Sequence, residues 1–175
     1  MSDDDAPPVA KTAQRSTLDD AQAATALIYN KLAQAYMQEP GFENNSGKIQ
    51  IAEDYLHKAI AIKPDYAQAY FHLGQLAERR EDVALARIYF NRTIELDGGH
   101  FDAYFQLGLL HDREGEYSQA TKAFNEAITI SPDHEGMYLQ ILDFYNKAIA
   151  AGPRAYQQER DALTKKCFDR FGKYP

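Results

Sequence analysis

The groups in this chain that could do chemistry are imidazoles, one thiol and a run of carboxylates, and their spacing argues against an active site. The five histidines are His57, His72, His100, His111 and His134. None falls in an HExxH or paired-histidine pattern, and Cys167 has no CxxC neighbour with which to build a thiolate metal site. His100 and His134 occupy matching places 34 residues apart, so their recurrence belongs to a repeat and predicts a structural or neutral role. Cys167 shares an apolar stripe with Tyr156, Leu163 and Phe171, the pattern of a buried and inert thiol. Asp112, Glu114 and Glu116 lack the spacing and glycine of a calcium loop and read as a solvated turn. Phosphate-cradling and nucleophile-elbow motifs (GxxxxGK, GxGxxG, GxSxG) are missing as well. The expectation is a protein that is not an enzyme, with no metal and no cofactor.

Composition narrows the partners. With a formal net charge of −7 the chain should repel a phosphate backbone, which excludes nucleic acid as the main partner. A single cysteine rules out an internal disulfide framework and fits a reducing compartment. No apolar stretch approaches the roughly 18 residues of a membrane-spanning helix, so no direct membrane insertion is expected. The start, Met-Ser-Asp-Asp-Asp-Ala-Pro-Pro, has neither the basic nor the apolar region of a secretory signal, and the expected location is cytoplasmic.

The elements follow from hydrophobic periodicity. Residues 1–17 are polar and acidic, with Pro7 and Pro8, and read as a disordered tail. From Leu18 onward the spacing is helical, and the prolines Pro40, Pro64, Pro132 and Pro153 stand where helices should stop or start. Columns then recur at a 34-residue step: Tyr70, Tyr104, Tyr138; Leu73, Leu107, Ile141; Gly74, Gly108; Ala86, Ala120; Phe90, Phe124; Ile94, Ile128. Small residues in such columns let helix axes approach to roughly 8–10 Å, and the aromatics fill the space around them.

These columns resemble the tetratricopeptide repeat (TPR) family. Tyr70-Phe71-His72-Leu73-Gly74 is similar to the first helix of that repeat, and Ala86 with Phe90 to the second. The resemblance implies an all-α, right-handed α-solenoid of three helix pairs, a partial fourth unit and a C-terminal capping helix. The TPR domain would span 18–151, with units at 26–66, 67–100 and 101–134 and the partial unit from 135. An inserted surface loop at 38–47 lengthens the first unit. Leu142 and Gly152-Pro153 break the family pattern in the fourth, and 153–171 would form the cap, with Pro153 in its first turn.

In this family the first helices of successive units line a groove that takes a peptide or helix. Matching places here hold Asn30 and Gln34; Phe71, His72 and Gln75; Asp102, Phe105, Gln106 and Leu109; then Leu139, Gln140 and Asp143. Phe71, Phe105 and Leu139 would form an apolar ladder, and Gln34, Gln75, Gln106 and Gln140 offer amides to a partner's backbone. With few net charges among them, binding should depend little on salt. Arg79, Arg113 and Lys147 form a possible basic edge, where a cation can equally serve a helix C-terminus. Members that clamp acidic chaperone tails use lysine, asparagine and arginine in the groove, the two cations gripping the carboxylates. Here those places hold Asn30, Gln34, His72, Asp102 and Gln106, so that specialisation is not expected. The implied function is a protein-binding adaptor or scaffold for a protein or peptide partner. The alternatives are a small TPR chaperone for a secreted protein, or an accessory or assembly subunit of an enzyme or membrane complex.

Overall fold

Small residues against large rings set the helix pairs of this protein. In the computed structural model, which describes residues 8–151 and 155–172, the chain divides at Leu96 into two compact units. Unit 1 holds α1 (Pro8–Met37), a 3-10 turn (Phe42–Asn44), α2 (Ser46–Ile62), α3 (Ala67–Arg79) and α4 (Val83–Leu96). Unit 2 holds α5 (Phe101–Arg113), α6 (Tyr117–Ile130), α7 (Glu135–Ala151) and α8 (Ala155–Phe171). The described residues form helices, turns and bends, without strands.

Within unit 1, α1 pairs with α2 and α3 with α4, and α2 also packs on α3. Within unit 2, α5 pairs with α6 and α7 with α8, and α6 meets α7. Gly74 lies on α3 opposite the Phe90 ring of α4, where a Cβ would come within 2.5 Å of the ring. Gly108 on α5 stands in the same relation to Phe124 of α6. Both rings are fully buried, so each glycine is the hole into which a phenylalanine packs. The core of unit 1 gathers Ala26, Ala33, Phe42, Leu56, Leu73 and Leu76; that of unit 2 gathers Phe124, Ile141, Phe144, Tyr145, Leu163 and Cys167.

The turns inside the second and third helix pairs share one design. The Asp82 amide bonds to the Ala77 carbonyl at 3.0 Å and the Glu81 amide to the Glu78 carbonyl at 2.9 Å, a Schellman closure of α3. Glu116 to His111 at 2.8 Å and Gly115 to Asp112 at 2.9 Å repeat it after α5. The left-handed position is Gly115 (φ 74°) in one repeat and Glu81 (φ 61°) in the other. Asp82 then caps α4, accepting from the Leu85 amide at 3.0 Å.

Two expectations need correction. The expected disordered tail at 1–17 overlaps a helix, because α1 already begins at Pro8. Pro8 fits a first helical turn, and Ala10, Lys11, Ala13, Gln14 and Arg15 are good helix formers. Residues 1–7 lie outside the described part. The insertion at 38–47 is not a loop outside the core: Phe42 is 1 % exposed and sits in the core of unit 1. Gly41 (φ 73°) turns the chain so that Phe42 points inward, and Asn45 caps α2 by accepting from the Lys48 amide at 3.0 Å. The partial fourth unit is α7, and the expected capping helix is α8, which packs along it. Leu163 and Cys167 are buried there, with Tyr156 and Phe171 packed beside them, so the apolar stripe faces inward as its spacing predicts. Pro153, expected in the first turn of that helix, lies outside the described residues.

Candidate protein-binding site

Each unit shows its own share of the expected groove. In unit 1 much of it is buried. Asn30 is 4 % exposed, with its amide hydrogen-bonded to the Tyr66 hydroxyl. Phe71 and His72 are each 6 % exposed. The Phe71 ring packs on Phe90 at 5.7 Å between centroids, and His72 Nδ1 lies 3.0 Å from Gln75 Oε1. His72 Nε2 also meets the Gln68 amide at 3.3 Å, so this imidazole serves α3 itself. Gln34 is exposed and Gln75 half-buried. The apolar ladder therefore fails at its first rung: Phe71 is a wall residue of its own helix pair.

In unit 2 some of the expected residues come together and others do not. Phe105 packs on Phe124 at 5.6 Å and is half-buried, as are Asp102, Gln106 and Leu109. Leu139 is 43 % exposed in the middle of a helix, and Gln140 beside it is exposed. Leu109, Asp112, Leu139, Gln140, Asp143, Phe144 and Lys147 line one concavity of about 280 Å³. That is below the roughly 300–1,000 Å³ of a typical small-molecule site and suits one or two side chains of a partner. Leu109, Leu139, Gln140, Asp143 and Lys147 were all expected in a binding surface. Asp112 and Phe144 were missed as lining residues, although Asp112 follows Leu109 by three positions and Phe144 follows Gln140 by four, the spacing of one helix face.

The basic edge is already engaged. The Arg79 guanidinium lies over the Phe42 ring at 5.2 Å, and Lys147 pairs with Asp143 at 2.5 Å. Arg113 is exposed at the end of α5 and does not line the concavity. Burial pushes the Asp112 carboxyl above the usual carboxylate range, opposed by the positive charge of Lys147 and reinforced by Asp143. The Asp143 carboxylate in turn holds the Lys147 ammonium above its ordinary value. These charges change the expectation of salt-independent binding: the unit 2 surface has an apolar floor with a charged rim.

Two other clusters compete for attention. A larger concavity of about 710 Å³ in unit 2 is lined by residues that include Tyr138, Lys166 and Asp169, but its Arg170 and Asp133 already bond to each other. His111, Glu114 and Glu116 bring possible ligand atoms within 4.8 Å of one another, an association the sequence reading missed by leaving His111 out. His111 Nδ1 lies 2.6 Å from a Glu116 carboxylate oxygen, and this contact ties the end of α5 to the start of α6. His134 has the structural role its repeat position predicts, since its Nδ1 accepts from the Met137 amide at 3.1 Å at the start of α7.

Sequence profiles of the tetratricopeptide repeat match residues 45–101 and 101–134, together just over half of the chain. The chain is a tetratricopeptide repeat protein. Among solved structures, MamA superposes with a TM-score of 0.66 at 24 % identity, covering 90 % of this chain and 84 % of that one. The first TPR of Spaghetti (RPAP3), solved bound to the HSP90 peptide SRMEEVD, gives a TM-score of 0.61 at 17 % identity, over 73 % of this chain and 95 % of that one. The Arabidopsis OM64 TPR domain gives 0.60 at 13 % identity, over 72 % and 98 %. Identities this low speak for the fold, which is the all-α TPR solenoid class. No curated protein matches the chain significantly. No helix among the described residues of this TPR protein is long and apolar enough to cross a membrane.

Proposed function

We propose that this protein is a non-enzymatic adaptor that holds a segment of a partner protein against the α5–α7 face of unit 2. The observation that carries the reading is Leu139, 43 % exposed beside a concavity lined by Leu109, Phe144 and polar groups. A large aliphatic side chain left open beside hydrogen-bonding groups is the anatomy of an interface core with its rim. Gln140 supplies both donors and an acceptor for the exposed backbone of a bound segment. The HSP90-peptide complex of the Spaghetti neighbour raises the acidic-tail reading, but Asp112 and Asp143 line the surface here and would oppose a partner carboxylate.

Replacing Leu109 by Ser and Leu139 by Asp together tests this. Neither residue is fully buried, so helix content by circular dichroism should be unchanged, while specific partners captured by the parent from its host should be lost. Capture that survives the double change would move the binding surface elsewhere.

A further inference from the structure

Resting on that adaptor reading, we propose that the partner segment taken by unit 2 places an apolar side chain beside a lysine or arginine. The apolar half follows from the floor. Leu109, Leu139 and Phe144 enclose room for a side chain of leucine or phenylalanine size within about 280 Å³.

The cationic half follows from charge complementarity. The lining carries two carboxylates, Asp112 and Asp143, against one cation, Lys147. Lys147 is held by Asp143 at 2.5 Å and its charge also acts on Asp112, so one ammonium faces two carboxylates. A second concavity on the other side of Leu139, between α7 and α8, repeats the balance. Its residues include Asp143, Arg160 and Asp161, and Arg160 is bonded to Asp161 at 2.6 Å. Around Leu139, then, three carboxylates face two cations, an excess of one negative charge.

Asp112 is half-buried, so water screens it less than a surface carboxylate and a guanidinium or ammonium would be attracted more strongly. The long apolar stems of lysine and arginine can lie along Leu109 while the head reaches Asp112. An acidic segment would meet uncompensated negative charge instead, and like charges across an interface are strongly disfavoured. The formal net charge of −7 on the whole chain biases encounter in the same direction.

The test pans phage-displayed random dodecapeptides on the full chain and measures synthetic copies of the enriched ones by fluorescence anisotropy. The expected peptides combine leucine, isoleucine or phenylalanine with a nearby lysine or arginine. Asp112→Asn should weaken their binding by about three- to tenfold. Replacing the peptide cation by alanine should give a similar loss, and the two losses should not add, because they remove one interaction. Peptides that Leu139→Asp abolishes, but that show no basic bias and ignore Asp112→Asn, would overturn this inference and leave the adaptor reading standing. Enrichment of acidic peptides in that pocket would overturn it too. Peptides indifferent to Leu139→Asp, or no enrichment at all, would count against both.

Discussion

The glycine–phenylalanine columns show what a single residue decides here. Gly108 gives up helix propensity, worth about 1 kcal/mol against alanine, and in exchange lets Phe124 into the helix contact. Phe124 cannot retreat, because it is fully buried between Phe105 at 5.6 Å and Phe144 at 5.0 Å. Overpacking therefore outweighs propensity, and Gly108→Ala should destabilise the protein by about 1–3 kcal/mol in denaturant titrations. The turn columns give the opposite case. Glu81 holds the left-handed conformation that Gly115 holds one repeat later. Since that conformation costs a side-chain-bearing residue about 1–2 kcal/mol, Glu81→Gly should stabilise by about 1 kcal/mol. A melting temperature higher by about 2–4 °C would report it. The first effect is legible in the sequence, because glycine and phenylalanine recur at a fixed step. The left-handed glutamate is not legible, since its neighbours and not its own type impose the turn.

At the scale of elements, the least regular stretch is more structural than its composition suggests. Pro40, Gly41 and Asn45 read as loop, and they do make a turn, yet that turn delivers Phe42 to the core of unit 1. Removing the ring would leave a cavity and strip Arg79 of the surface it covers. Phe42→Ala should cost about 3–5 kcal/mol, seen as a lower denaturant midpoint. A loss below about 0.5 kcal/mol would return the segment to the surface. Helix existence and pairing were open to a reading of spacing alone: α3 to α6 fall inside the units expected from the 34-residue step. The groove was only half legible. Phe71 and Leu139 occupy equivalent columns, but Phe71 packs under its own helix partner while Leu139 stays open. Exposure depends on what lies across the element, and a column does not record it.

For the whole molecule, the repeat family points to protein recognition, and the acidic balance bears on the chemistry of what is recognised. Stability in such a protein comes from neighbouring helix pairs burying each other's faces, which leaves surface residues such as Leu139 and Asp112 free to be set by binding. In the proposed function a partner segment sits on the α5–α7 face. Nuclear magnetic resonance locates it most directly, by titrating the labelled chain with an enriched peptide and following backbone amide shifts. The largest shifts should cluster at Leu109, Asp112, Leu139, Gln140, Asp143 and Lys147, and Leu139→Asp should remove them. Shifts centred instead on Lys166, Asp169 and Arg170, or on the exposed Leu85 and Ile88 of α4, would contradict it.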